Sequence, residues 1–351
     1  DANGFTVGTV AGTIGLTAGS GDISLTAGGA NSLLTVGDSV QAPGGSVTYV
    51  ADNQDHAAAT TSSGVAGKFI EIKPYTAGTQ IEFDAAADAA GFLRLSPGEL
   101  GQFTTPLLKV GNSAVTGNIT VNTAISPANF PALSLITSGS ILQMTGSTIT
   151  IAGLNADGHG GVSLTEANDV DKLGGHTNAG AFSFTDADGF DVALVDVNNG
   201  ISSSGGGNIA LTSSGGGITQ SGGATLATSG AAAITAQTGI TLNSANTAPI
   251  VSLNNSGSGH IAYSANTASL SASADNSATG GNLTLSNTGS VVTTGSGIGS
   301  NGTTTVNATG GGSDITVTTW ASITGNDVTL NAGRDVLVNG SEVYANNSGG
   351  N

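Results

Sequence analysis

Along most of this chain Ile, Val and Leu alternate with Thr, Ser and Asn in short runs, and the runs are separated by Gly, Asn or Asp. In Asp314-Ile315-Thr316-Val317-Thr318 the period of two puts Ile315 and Val317 on one face of a pleated strand and the Thr residues on the other. Asn199-Gly200, Asn301-Gly302 and Asn339-Gly340 supply corners, because positive φ is cheap for glycine. The pattern predicts a nearly all-β chain of short strands joined by turns. Helical spacing is missing over any long stretch; the best helical candidate, 84–90 with its alanines, amounts to about two turns at most.

The runs repeat. Asp1-Ala2-Asn3-Gly4-Phe5 returns as Asp186-Ala187-Asp188-Gly189-Phe190, and Gly21-Asp22-Ile23-Ser24-Leu25-Thr26 returns as Gly207-Asn208-Ile209-Ala210-Leu211-Thr212. Much of the second phrase reappears at Gly117-Asn118-Ile119, Gly281-Asn282-Leu283 and Asp314-Ile315. Recurrence of one short unit signals a solenoid of stacked coils, each roughly 20 residues long. An antiparallel sandwich also has short strands and many turns, but aromatic residues at 4% are too few for a sandwich core of this size. The expectation is an all-β, parallel β-helix in one continuous solenoid: coils over 1–72, an irregular insertion or decorated coils over 73–132, and coils again over 133–351. The middle stretch holds Pro74, Pro97, Pro106, Pro127 and Pro131, five of the seven prolines. Proline cannot donate to a ladder, so a loop-rich excursion is expected around 74–131, as a side decoration, a lid or a ligand-binding protrusion.

Composition narrows the function classes. Hydrophobic residues make up 38% of the chain and charged residues 8%, which is the reverse of the balance found in disordered chains. There is no cysteine, so disulfides and thiolate metal sites are excluded and stability must come from stacking. Net charge is −17, with only Lys68, Lys73, Arg94, Lys109, Lys172 and Arg334 to set against 23 acids, so nucleic acid is excluded as a partner. No run approaches the ~18 apolar residues of a membrane span, and no transmembrane segment is expected. The chain opens on Asp1 and shows no apolar signal segment, which reads as a processed product or a window onto something longer.

Leu164-Thr165-Glu166-Ala167-Asn168-Asp169-Val170, Phe182-Ser183-Phe184-Thr185-Asp186-Ala187-Asp188-Gly189, Leu95-Ser96-Pro97-Gly98-Glu99-Leu100 followed by Leu108-Lys109-Val110-Gly111, and Asn331-Ala332-Gly333-Arg334-Asp335-Val336-Leu337-Val338-Asn339-Gly340 resemble segments of large bacterial exoproteins of the filamentous haemagglutinin type. The likeness covers most of the chain. It implies a right-handed parallel β-helix, exported as an extended polypeptide by two-partner secretion through an outer-membrane secretion partner, and an extracellular or cell-surface location. The amino-terminal secretion domain of that family is missing from this sequence, so the resemblance implies a piece of the repetitive shaft. On this reading the protein is a non-enzymatic shaft of an adhesin or extracellular fibre, with a host or environmental surface, a glycan or other cells as its partner. One alternative is a self-assembling subunit of a filament or sheath, joined end to end through open strand edges. A second is a polysaccharide-acting enzyme on a β-helix.

Candidate chemistry is sparse. Asp186, Asp188 and Asp191 around Gly189 look like the opening of a calcium loop, but the spacing lacks the distal Glu, and the expected role is a turn capped by Asp side chains. For an enzyme, Glu71, Glu82 and Asp84 with Lys73, or Asp169 and Asp171 with Lys172, could supply paired carboxylates; the expected role is a solvated strand face. His56, His159, His176 and His260 show no metal-ligand spacing. Trp320 and Tyr344 could stack on a sugar, and Trp320 equally suits a bulky core or end position. The Thr148/Thr150 and Thr316/Thr318 pairs are too discontinuous for an ice-binding array. No catalytic, metal or cofactor residue is assigned.

Overall fold

The computed structural model describes residues 3–56, 60–86 and 89–346. Its contacts divide the chain into two units, one made of 1–175 with 195–198 and the other of 176–194 with 199–351. Both are parallel β-solenoids, built of parallel strand ladders.

In the first unit three stacks of strands run side by side. One contains Ile23–Thr26, Val47–Val50, Ile70–Lys73, Leu108–Asn112, Ala132–Thr137 and Thr150–Gly158. A second holds Leu16–Thr17, Val40–Ala42, Thr61–Ser63 and Phe103–Thr104. The third begins with Phe5–Val7, Leu33–Val36 and Asn53–Asp55, and continues through Gln80–Phe83, Ile119–Val121 and Ser140–Gln143. Alternation sets which residues enter the core. Val47, Ile70, Leu108, Leu133 and Leu154 lie in register on successive coils and are fully buried, while Thr48, Glu71, Lys109 and Asn112 remain partly exposed. Each such aliphatic side chain removed from water contributes about 1.5–3 kcal/mol.

Coil length tracks the sequence pattern except at one place. Val47 pairs with Ile70, 23 residues on, and Leu133 with Leu154, 21 residues on, but Ile70 pairs with Leu108 across 38. The extra length falls inside the proline-rich stretch. There the chain lays down Gln80–Phe83, then turns back, and Phe92–Leu95 pairs with that strand on the edge opposite Ile119–Val121. Phe92–Leu95 thereby lies beside Asn53–Asp55 and fills a level of the stack below its predecessor in sequence. The excursion is thus an inserted strand, with coil strands on either side of it. The helical candidate at 84–90 is corrected: Asp84–Ala86 and Ala89–Ala90 are non-helical, and Ala87 and Asp88 lie outside the described residues. The helix is Pro97–Leu100, which starts with a capping box between Ser96 and Glu99 and with Pro97 in its first turn, where a missing N–H costs nothing.

In the second unit two long stacks alternate. Phe184, Leu211, Ile234, Leu253, Ala274, Ile298 and Ile323 form one buried column, and Ile218, Ile240, Ile261 and Leu283 another. Ile240 faces Ile261 and Ile261 faces Leu283, steps of 21 and 22 residues.

The recurring Gly-Asp/Asn-Ile phrase has a mechanical role. In each of its copies the side-chain oxygen accepts a backbone N–H one coil further on: Asp22 from Ser46 at 2.7 Å, Asn118 from Ser140 at 2.9 Å, Asn208 from Ala231 at 3.0 Å, Asn282 from Thr303 at 2.9 Å and Asp314 from Asp335 at 3.2 Å. The phrase is a bracket between neighbouring coils. At Gly117 the glycine of the phrase is required by close approach, since a Cβ there would stand 2.1 Å from the Thr79 carbonyl oxygen.

A second bracket escaped the sequence reading. Asn168 is fully buried and its Oδ1 accepts from Ile149 N and Gln143 Nε2, while its Nδ2 donates to the Leu164 and Glu166 carbonyls. In the other unit buried Asn246 repeats this: Oδ1 accepts from Leu226 N and Gln220 Nε2, and Nδ2 donates to the Leu242 and Ser264 carbonyls. Gln143 Oε1 takes the Glu166 amide and Gln220 Oε1 takes the Ser244 amide. Buried corners are affordable only when each backbone group finds such a partner.

Candidate functional site

The carboxylates proposed from sequence do not converge. Glu71 and Lys73 lie on Ile70–Lys73 and pair with each other at 2.8 Å, whereas Glu82 lies on Gln80–Phe83, in a different stack, and pairs with Arg94 at 2.8 Å. Asp84 accepts from Ala86 N and from Asn122. Asp169, Asp171 and Lys172 are exposed along the outer face of their strand. Asp186 is buried and its Oδ1 accepts the Asp188 and Gly189 amides, which is an Asx-capped turn. Asp191 instead takes the hydroxyls of Thr219 and Ser221 from the next coil. Thr148, Thr150, Thr316 and Thr318 do face outward between buried Ile149, Ile151, Ile315 and Val317.

A dense polar cluster was not foreseen. In the first unit the segment 195–198 lies over the outer side of the Leu108–Asn112, Ala132–Thr137 and Thr150–Gly158 strands. Asp196 receives Lys109 Nζ at 2.7 Å on one oxygen and Ser134 Oγ at 2.8 Å on the other. Ser134 in turn accepts from Asn155 Nδ2 at 2.9 Å, and Asn198 Nδ2 donates to Asn155 Oδ1 at 2.8 Å and to Asp157 Oδ2 at 3.3 Å. His159 Nε2 stands 3.4 Å from Asp157 Oδ1, and Lys109 lies 4.6 Å from the centre of the Phe69 ring. Lys, Asp and Ser in contact resemble nucleophile machinery, but Ser134 is fully buried and already donates to Asp196. The geometry is that of a clamp, tightened by a charge-assisted bond in a shielded place. Asp196 holds a φ of 51°, so the backbone is bent to deliver its carboxylate. Sequence gave little warning, because Lys109 and Asp196 stand far apart and only the Asp196-Val197-Asn198-Asn199 run marks the segment as polar.

His56 lies inside the first unit, fully buried. Its ring meets Tyr49 and Phe103 edge-on at 4.7 and 5.0 Å, its Nε2 pairs with Gln54 Oε1 at 3.0 Å, and Nδ1 has no partner among the described residues. Burial, opposed by the nearby Asp55 charge, lowers its pKa to about 4, so the ring is neutral at pH 7. Buried Glu99 accepts the His56 amide at 3.2 Å and anchors the short helix to this core. Asp52, also buried, joins coils by accepting from Asn31 N, Thr76 N, Thr76 Oγ1 and Thr79 Oγ1. Burial pushes its carboxyl up, and these bonds more than reverse the effect, leaving it below the usual carboxylate value. His260 is exposed and its Nδ1 accepts from Asn282 N at 2.9 Å; His176 is half-buried near the end of Gly161–Thr177.

Three surface grooves are lined by described residues. In the second unit a groove of about 310 Å³ is lined by Ser264, Asn266, Thr288 and Thr309, and another of about 370 Å³ by Ser202, Ser204, Thr228 and Thr247. In the first, Pro97, Leu100, Ile125, Pro127 and Asn129 border a groove of about 250 Å³ beside the helix. Trp320 is 91% exposed, which corrects its expected alternative as a core residue; Tyr344 is 55% exposed. No helix among the described residues is long and apolar enough to cross a membrane. No family profile, curated protein or solved structure matches the chain.

Proposed function

We propose that this chain is a non-enzymatic structural shaft of a secreted bacterial surface adhesin or extracellular fibre, of the filamentous haemagglutinin type. The observation that carries the reading is the coil-to-coil bracket. Asp22, Asn118, Asn208, Asn282 and Asp314 each tie one coil to the next, in addition to continuous parallel ladders and aliphatic columns. These five polar side chains hold coils together, which supports a structural role. Such a solenoid derives its stability from nearest-neighbour coils and offers surface in proportion to its length. Export would proceed through an outer-membrane partner, and the shaft would hold a binding region away from the cell, against a host surface, a glycan or another cell.

Electron microscopy of the native material tests this. Separate thin projections from the cell surface, together with resistance of the folded chain to proteases, are the expected result. A continuous polymer of this chain would instead favour the filament subunit, and release of fragments from neutral or acidic polysaccharides by the purified protein would make it an enzyme.

A further inference from the structure

We propose that Trp320 is the stacking platform of a binding site for a neutral carbohydrate. Gly295, Trp320 and Gly340 occupy the same corner on three successive coils, between the pairings Val292–Thr316–Leu337 and Gly297–Ser322 with Ile323–Val343. All three residues adopt positive φ, 57°, 70° and 65°. Glycine takes that conformation freely, whereas a bulky L-residue is strained in it. The middle coil nonetheless carries the largest side chain available, and 91% of it faces solvent. Strain retained at an exposed position is a mark of function rather than of packing.

The exposure does not come from lying at an edge. Val336, Leu337, Val338 and Val343 are exposed because their strands pair on one side only among the described residues. The coil of Trp320 is paired on both sides, with Ser290–Ser300 on one and Val336–Val338 and Val343–Ala345 on the other. Ser296 and Thr319 flank the corner on the preceding coil and its own coil, and Asn339 on the following one; all three are exposed, and the apolar residues exposed nearby, Leu337 and Val338, belong to the strand that pairs on one side only. A single aromatic face ringed by hydroxyl and amide groups matches a pyranose, whose C–H face carries partial positive charge toward the ring's negative face and whose rim is hydroxyl. A lipid surface or protein partner would call for a wider apolar patch around the ring. The net charge of −17 opposes anionic ligands, so the sugar is neutral.

The proposal deepens the shaft reading by giving it a ligand class, but it rests on the corner alone. Trp320 is the only tryptophan in the chain, so its emission reports this corner without labelling. Full-length protein is titrated with maltohexaose, cellohexaose and chitohexaose, and with hexagalacturonate as the anionic probe. A saturable blue shift with at least one neutral oligosaccharide, and none with hexagalacturonate, is expected. Trp320→Gly should lose that binding by calorimetry at least tenfold while unfolding at a higher temperature, because strain is relieved; Trp320→Phe should keep part of it. No response to any neutral oligosaccharide, a response to hexagalacturonate of equal strength, undiminished binding by the glycine variant, or a lowered unfolding temperature for it would each overturn the proposal. Micrographs showing a shaft while the titrations stay flat would remove the platform and leave the shaft.

Discussion

Two buried tyrosines in equivalent roles are expected to respond oppositely to the loss of a hydroxyl. Tyr49 shares its hydroxyl with Thr61 Oγ1 at 2.7 Å inside the first unit, whereas Tyr263, in a column with Leu242 and Leu285, has no partner for its hydroxyl among the described residues. Tyr49→Phe is expected to destabilise by about 1–2 kcal/mol, since it leaves Thr61 with a lost partner, and Tyr263→Phe to stabilise by roughly 1 kcal/mol; chemical denaturation of both variants checks the two signs. His56 gives the chain an acid weakness of its own. Its folded pKa of about 4 is below the ordinary 6.5, so its neutral burial contributes fully above pH 6.5 and is lost as pH falls from there through 4, a difference on the order of 3 kcal/mol. Thermal unfolding of His56→Phe should lose the slope between pH 6.5 and 4. The Asp52 contribution, whose carboxyl also titrates low when folded, is present above pH 3.8 and disappears only below that window, so the two separate on the pH axis.

At the scale of strands and coils, the buried columns and brackets predict where the solenoid is fragile. Leu253 is packed between Ile234 and Ala274, and Leu253→Ala is expected to cost about 2–5 kcal/mol, with hydrogen exchange rising most in the coils of those two neighbours. Asn246→Ala would remove the bonds to Leu226 N and to the Leu242 and Ser264 carbonyls, and a loss on the order of 3 kcal/mol in denaturant midpoint analysis is expected. Alternation made the strands legible in sequence, because period two survives in Ile315-Thr316-Val317 and its relatives whatever the coil around them. The Gly-Asp/Asn-Ile repeat was legible as a phrase but its role was not, since a bracket needs to know which amide comes round one coil later. The Gln143–Asn168 and Gln220–Asn246 pairs were hidden for the same reason, although Gly161-Val162-Ser163-Leu164-Thr165-Glu166-Ala167-Asn168 and Gly239-Ile240-Thr241-Leu242-Asn243-Ser244-Ala245-Asn246 share Leu and Ala-Asn at matching positions. The prolines mark the stretch that holds the 38-residue coil, yet nothing local in them reveals a strand that returns to an earlier level, and Leu108–Asn112 and Ile119–Val121 within it are regular coil strands. A capping-box motif at Ser96–Glu99 opens the Pro97–Leu100 helix, but the alanines at 84–90 drew the helical expectation to the wrong place. Most of what a site would require, the Lys109–Asp196 clamp included, depends on contacts made across tens of residues, which periodicity cannot report.

For the molecule as a whole, charge is the dominant collective property. With 23 acids against six bases the chain repels its own copies at neutral pH, and its pI of about 4.1 places the loss of that repulsion close to the acid limit of His56 and Asp52 stability. Light scattering on a pH series is therefore expected to show a sharp onset of association between pH 5 and 4, within the range where His56 begins to cost stability. The return of Phe92–Leu95 to a lower level bears on time rather than on strength. A polypeptide that solidifies coil after coil from its leading end must, at this one level, hold a seat vacant for residues that arrive late, and the strand beyond it cannot close until they have threaded in. Assembly has here to wait and back-fill, which makes the 38-residue coil a natural pause in any vectorial maturation of the chain.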